Sequence, residues 1–298
     1  QSGRESVSHR GGASGVFDRR LNREDRSDAA RRWRGAITAI VLVGAAAAIG
    51  WAVGEYLRVV HYAWAIEAFV VALLLTQRSL FETAAAIGRL LQKDELTGGR
   101  AAAATLVGAD LDSLDDYSVA RAAIESLFAQ FSIGMVAPAF WYLLLGLPGL
   151  FASTTANTLA GAIGHRSPKY LAFGWATARL RDALDWIPAR LTALLIFLAA
   201  LVLPGAHAGK AIRVAFADAG KHRSPNTGWP QAAAAGALGL ALGGPRRVLG
   251  TVLNEAWLGD GRARATVVDI GNALRLYLAT AACFAALLLM ASTARHLL

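Results

Sequence analysis

Charge is scarce in this chain. Lys, Arg, Asp and Glu make up 17% of its 298 residues, where soluble globular domains carry about a quarter. Set beside 55% hydrophobic residues, that shortage excludes an ordinary soluble domain. Cysteine is nearly absent too. The single Cys283 rules out an internal disulfide and any cysteine-built metal centre. Lying inside an apolar run, it reads as a small buried hydrophobe. Also missing are a Walker-type G-x-x-x-x-G-K-S/T loop, a nucleophile elbow and a paired-histidine zinc helix. His165 and His222 stand far apart with no supporting Cys or second His. Carboxylates, among them Asp110, Glu125, Asp182 and Asp218, are the better candidates for holding a hard cation.

What the chain does have is long apolar runs. Residues 36–54, 59–76, 134–152, 191–208 and 276–293 each approach the ~20 residues a helix needs to cross a bilayer. The pattern predicts an all-α polytopic membrane protein with about five apolar segments and amphipathic or interfacial helices in the connecting loops. Pro138, Gly146 and Pro148 give the middle run the means to break into a re-entrant hairpin. The run 232–244 is too short to span and reads as a buried or interfacial helix.

The net charge of +9 would suggest nucleic acid in a soluble domain, but these cations flank apolar helices, where they set orientation. Nucleic acid is therefore not expected as a partner. Arg19, Arg20, Arg23, Arg26, Arg31, Arg32 and Arg34 should hold the end before the first span in the cytoplasm. Strict alternation then puts 77–132 and 209–272 inside and 153–190 outside. Residues 1–15 are polar and rich in Gly and Ser; they read as a disordered tail or the edge of a longer product, and 16–298 as one integral-membrane domain.

The densest polar motif is residues 220–230, GKHRSPNTGWP, set between apolar runs. Its two prolines and two glycines fix the backbone and present Lys221, His222, Arg223, Ser224 and Asn226 together, a set suited to an anionic ligand at the membrane surface. Arg121 and Glu125 are one turn apart on a predicted helix over 116–132, either a surface ion pair or part of a site. Asn157 and Thr158, followed by His165 and Arg166, form a second polar knot that suits phosphate or carbonyl oxygens, although Asn157 could instead cap a helix toward Ile163. Arg190 reads as a snorkelling side chain at an interfacial helix. Glu67, inside an apolar run, is a functional suspect or a residue near a helix end that reaches water.

Taken together, LTGGRAA at 96–102, LVGAD at 106–110, RAAIES at 121–126 and VAPAFW at 136–141 resemble the CobD/CbiB family of cobalamin biosynthesis proteins. GLPGL at 146–150, ANTLAGAIGH at 156–165, FGWATARLRD at 173–182 and IPARLTA at 187–193 continue the likeness. The run KHRSPNTGWPQAAAAGALGLALGGP at 221–245 is its most specific part, and AWLGDGR at 256–262 follows in place. The resemblance implies an inner-membrane enzyme of the adenosylcobinamide-phosphate synthase type, with its active loops in the cytoplasm. Such an enzyme joins aminopropanol phosphate to a carboxylate of adenosylcobyric acid, using ATP and Mg²⁺.

Carried onto this chain, the resemblance implies Glu125, Asp182 and His222 as catalytic residues. Arg121, Asn157, Thr158, His165, Arg166, Lys221, Arg223, Ser224 and Asn226 would bind substrate or phosphate, and Asp110 with Glu125 would hold metal. The corrinoid, the amino-alcohol phosphate and the bilayer are the expected partners, with a homo-oligomer as a further expectation. The chain departs from the family pattern where an arginine is usual at Ala109, Glu-Asn at Ala129-Gln130, Asp at Ile133, Lys at Thr154, Asp at Ala160 and Arg181, and Asn at Asp185. Those departures imply an alternative: a catalytically degenerate relative that binds corrinoid or a partner protein in a regulatory or sensory role, the AmpE-like proteins being a related branch.

Overall fold

The computed structural model describes residues 22, 27–75, 78–107, 114–164, 170–248 and 251–297. Its helices in chain order are α1 (Asp28–Arg58), α2 (Ala63–Leu74), α3 (Arg78–Gln92), α4 (Leu96–Val107), α5 (Asp116–Phe131) and α6 (Ala137–Leu145). There follow α7 (Leu147–Ile163), α8 (Trp175–Leu184), α9 (Trp186–Val202), α10 (Ala208–Asp218), α11 (Gly228–Leu238) and α12 (Val267–Leu297). A π-helical segment, Ser132–Val136, joins α5 to α6, and a 3-10 turn, Ala219–Lys221, follows α10. Short strands β1 (Leu242–Gly243), β2 (Arg246–Val248), β3 (Thr251–Leu253) and β4 (Trp257–Leu258) lie between α11 and α12.

The all-α expectation holds. Among the described residues, four helical stretches are long and apolar enough to cross a membrane: Asp28–Arg58, Ala63–Gln92, Asp116–Leu145 and Val267–Met290. Trp175–Leu184 and Trp186–Val202 supply a fifth if counted as one broken span. The surface agrees with that reading. Helix α2 buries none of its residues although its sequence, AWAIEAFVVALL, is almost wholly apolar; hydrocarbon accepts such a face and water does not.

The chain divides into two compact units. The first comprises Gln1–Leu75 and Ala137–Asp185. Helix α1 starts at an N-cap, Ser27, whose side chain accepts the Ala30 amide at 3.4 Å, with Asp28 in the first turn and Arg58 in the last, both favourable to the helix dipole. It packs closely on α7, since a Cβ added at Gly50 would lie 2.7 Å from the Leu147 carbonyl oxygen. The apolar run 134–152 does not cross as one element. Gly146, at φ 68° and ψ −151°, sits in a region that essentially only glycine occupies, and Pro148 falls in the first turn of α7. The chain therefore turns sharply between α6 and α7, and the apolar stretch on the N-terminal side reaches back to Asp116.

The second unit comprises Thr76–Val136 and Trp186–Leu298. At its centre lies α11, whose Ala232, Ala233, Ala234, Ala235 and Ala237 are all buried. Helices α9, α10, α5 and α12 all pack on it. The expected short buried helix is thus present, but it ends at Leu238, where Gly239 takes a left-handed φ of 64°. Phe131 and Tyr277 meet edge to face, with ring centroids 5.0 Å apart, and tie α5 to α12. Beyond α11, β1 pairs antiparallel with β4, and β2 with β3. These strands were not expected from the sequence, because two or three residues are too few to display an alternating pattern.

Candidate functional site

The polar motif at 220–230 is a built turn in the second unit. Ser224 Oγ accepts the amides of Thr227 at 3.3 Å and Asn226 at 3.5 Å, and the Thr227 hydroxyl donates to it at 3.0 Å. Serine thereby closes the turn that leads into α11, a structural task that occupies its oxygen. The amide of Ser224 donates in turn to His222 Nδ1 at 2.9 Å. A neutral ring that accepts at Nδ1 carries its proton on Nε2. Burial, the largest influence, lowers the His222 pKa, so the neutral ring is the form present near pH 7. His222 therefore rests as a neutral ring, and the shorter contact at Nδ1, 2.9 Å from the Ser224 amide against 3.3 Å to the Ser224 carbonyl, favours the tautomer with its proton on Nε2.

Both ends of the turn are anchored. At its start, the Asp218 carboxylate receives Lys221 Nζ at 2.5 Å and the Gly259 amide at 2.7 Å. At its far side, Asn226 is buried and its Oδ1 accepts Arg190 Nη1 at 3.0 Å. Arg190 also donates to the Trp186 carbonyl at 2.7 Å, and its guanidinium lies 4.4 Å from the Trp186 ring and 4.8 Å from that of Trp229. The expected snorkelling arginine is instead a bracket between α9 and the turn. The spacing of Trp186 and Arg190, one helical turn apart, was the available signal; the Trp229 half of the bracket had none.

Glu125 on α5 is buried, and its Oε1 accepts the Gly243 amide at 2.6 Å while its carbonyl accepts Gln231 Nε2 at 3.2 Å. One residue thus joins α5, α11 and β1. Arg121, a turn earlier, donates to the Ala263 carbonyl at 2.7 Å and to Ser118 Oγ at 3.0 Å, and its guanidinium lies 5.2 Å from the Trp257 ring. It fastens the segment after β4 and acts as a structural clamp. Between these parts opens a cavity of about 240 Å³ lined by Lys221, His222, Arg223, Gln231, Gly243 and Glu255, among others. Glu255, which the sequence did not single out, has a side chain only 13% exposed and lies 3.4 Å from Arg223 Nη1.

Of the remaining expected site residues, Asn157, Thr158 and Asp182 belong to the first unit. In the first unit, Asn157 lies inside α7 and not at its start, so it caps nothing there; the N-cap position is Gly146. Thr158 donates to the Thr154 carbonyl of its own helix at 2.8 Å, and Asp182 on α8 lies 3.5 Å from Arg179. In the same unit Glu67 accepts the Tyr142 hydroxyl at 2.8 Å. Asp110, His165 and Arg166 lie outside the described residues. Among the described residues, no three His, Cys, Asp or Glu side chains gather into a metal cage. Glu125 could offer at most one carboxylate to a cation, with Oε1 already engaged by Gly243.

Apolar helices long enough to cross a bilayer, with a cation-rich turn beside a small cavity, define a polytopic helical membrane protein. Comparison with known proteins makes the class specific. The chain belongs to the CobD/CbiB family, matching the family described as CobD/Cbib protein over residues 6–277. It is 48% identical over 270 residues to the cobalamin biosynthesis protein CobD of Sinorhizobium sp, covering 90% of this chain and 84% of the relative. The corresponding protein of Rhizobium meliloti is 45% identical, covering 90% of this chain and 83% of the relative. That of Rhodobacter capsulatus is 40% identical, covering 83% and 77%. No solved structure matches.

Proposed function

We propose that the chain acts in cobalamin biosynthesis as an ATP-dependent ligase of the bacterial inner membrane, forming the amide between aminopropanol phosphate and adenosylcobyric acid. The observation that carries this reading is the fixed turn 221–226 at a cavity lined by charges of both signs. A carboxylate is a poor acyl donor, and ATP with Mg²⁺ on its phosphates supplies the activation when bound; such an ion needs only one or two protein carboxylates. The chain's own part is to hold anionic oxygens with Lys221, Arg223 and the Nε2 proton of His222, carried on a turn whose backbone is set before the ligand arrives.

The experiment is complementation of a cell lacking its own corrinoid amidating enzyme, paired with amide formation by the purified protein in detergent. Growth and product that both disappear in His222→Ala support the ligase. Stable membrane expression without product refutes it and favours the second reading, a relative that binds corrinoid without acting on it. The observation behind that second reading is that Ala129 and Ala160, where the family resemblance implies carboxylates, are buried apolar positions.

A further inference from the structure

The cavity beside the turn has a size and a charge arrangement that distinguish between the substrates of the proposed reaction. At water's share of about 30 Å³ per heavy atom, its volume of about 240 Å³ corresponds to roughly eight heavy atoms. Aminopropanol phosphate has about nine; a nucleoside triphosphate has roughly three times that, and a corrinoid more still. Drug-sized ligands occupy about 300–1,000 Å³, so either larger molecule would extend beyond this cavity.

Its charges are of both signs. Lys221 and Arg223 on the turn are 53% and 62% exposed at their side chains, whereas Glu255 is largely buried. The Arg223–Glu255 separation of 3.4 Å is longer than a well-formed charged hydrogen bond, about 2.7–2.9 Å. It is the kind of contact a better partner displaces.

We infer that this cavity is the subsite for the amino-alcohol phosphate, with Glu255 receiving the ammonium group and Lys221, Arg223 and His222 receiving the phosphate. The assignment rests on the ligase reading above. Binding exchanges ion-pair partners: the ligand's ammonium takes Glu255 from Arg223, and the released guanidinium turns to the phosphate. No charge is left uncompensated in the exchange, so a buried carboxylate can serve a cationic ligand without standing alone beforehand. Neither a plain phosphate nor a plain amine satisfies both walls, which makes Glu255 the residue that selects for the amine.

The test is calorimetric titration of the purified full chain in detergent with aminopropanol phosphate and with 2-propyl phosphate, which lacks the amine. Glu255→Gln should weaken the amine-bearing probe about tenfold or more and leave the amine-free probe within about twofold of wild type. Lys221→Ala should weaken both probes alike. Equal loss of both probes in Glu255→Gln, no loss of either, or no binding of aminopropanol phosphate to the wild-type chain overturns the assignment. Amide formation is scored separately. Glu255-dependent binding without product refutes the ligase and keeps the subsite, whereas ligation with an unchanged KM for the amino alcohol in Glu255→Gln refutes the subsite and keeps the ligase.

Discussion

Removing Arg190 should loosen the whole turn at 221–226. Its guanidinium makes one charged hydrogen bond to a buried amide oxygen, Asn226 Oδ1, and lies within 4.4 and 4.8 Å of two indole rings. A hydrogen bond involving a charged group contributes about 1.5–3 kcal/mol, and each cation–π contact about 0.5–1 kcal/mol at a partly exposed site. Trp186 is 55% exposed, so the low end applies to its ring. Arg190→Ala should then cost about 2.5–4.5 kcal/mol. Arg190→Lys should recover less than half of that, because a lysine ammonium carries the charge without the planar face that stacks between rings. Reversible unfolding in mixed micelles, run as a double-mutant cycle with Trp229→Leu, measures the shared part directly. An Arg190→Ala cost below about 0.5 kcal/mol, or a lysine variant indistinguishable from wild type, would show that the bracket does not hold the turn.

Three further outcomes are expected. His222 has a folded-state pKa lowered mainly by burial, so the unfolded chain binds the extra proton more readily. Stability should therefore fall as pH drops below about 6.5 and level off below the folded value, and melting curves of His222→Asn between pH 8 and 5 should lack that component. Gly146→Ala should cost about 1–3 kcal/mol in the same unfolding assay, since φ 68° with ψ −151° suits only glycine; a cost near zero would mean that the sharp turn between α6 and α7 is not required. Restoring carboxylates with Ala129→Glu, Ile133→Asp and Ala160→Asp should raise amide formation if the natural chain is a degenerate copy, and should leave it unchanged or lower it, by burying new charge, if the present residues suffice.

Much of the fold was legible because hydrocarbon imposes long uniform runs, and such runs are visible in composition alone. The break at Gly146 and Pro148 was visible for the same reason: both residues have backbone geometries that a continuous helix does not tolerate. The strands β1 to β4 were not, since each is set by its partner and not by its own two or three residues. The site divides along the same line. Lys221, His222, Arg223, Ser224 and Asn226 form one contiguous word and were read as such. Arg190 stands 36 residues from Asn226 and was taken for an interfacial anchor. Glu255 was passed over, because nothing local distinguishes it from any loop glutamate. Roles were less legible than membership. Ser224 and Arg121 belong to the site's framework, their polar atoms engaged by the turn and by the segment after β4, and only side-chain geometry separates that work from ligand binding.

The alanines of α11 have a consequence for the turn that precedes them. Alanine has no rotamers to lose on burial, so the alanine-rich stretch of α11 can be enclosed on every side at little cost in side-chain entropy. The turn is thereby attached to a helix buried along most of its length, with Gln231 held to the Glu125 carbonyl and Trp229 against Arg190. A ligand arriving there meets a turn whose backbone folding has already fixed, and association demands little further ordering of that backbone. The same arrangement makes the helix intolerant: a larger side chain anywhere along its buried length would displace the turn before it disturbed any charge upon it.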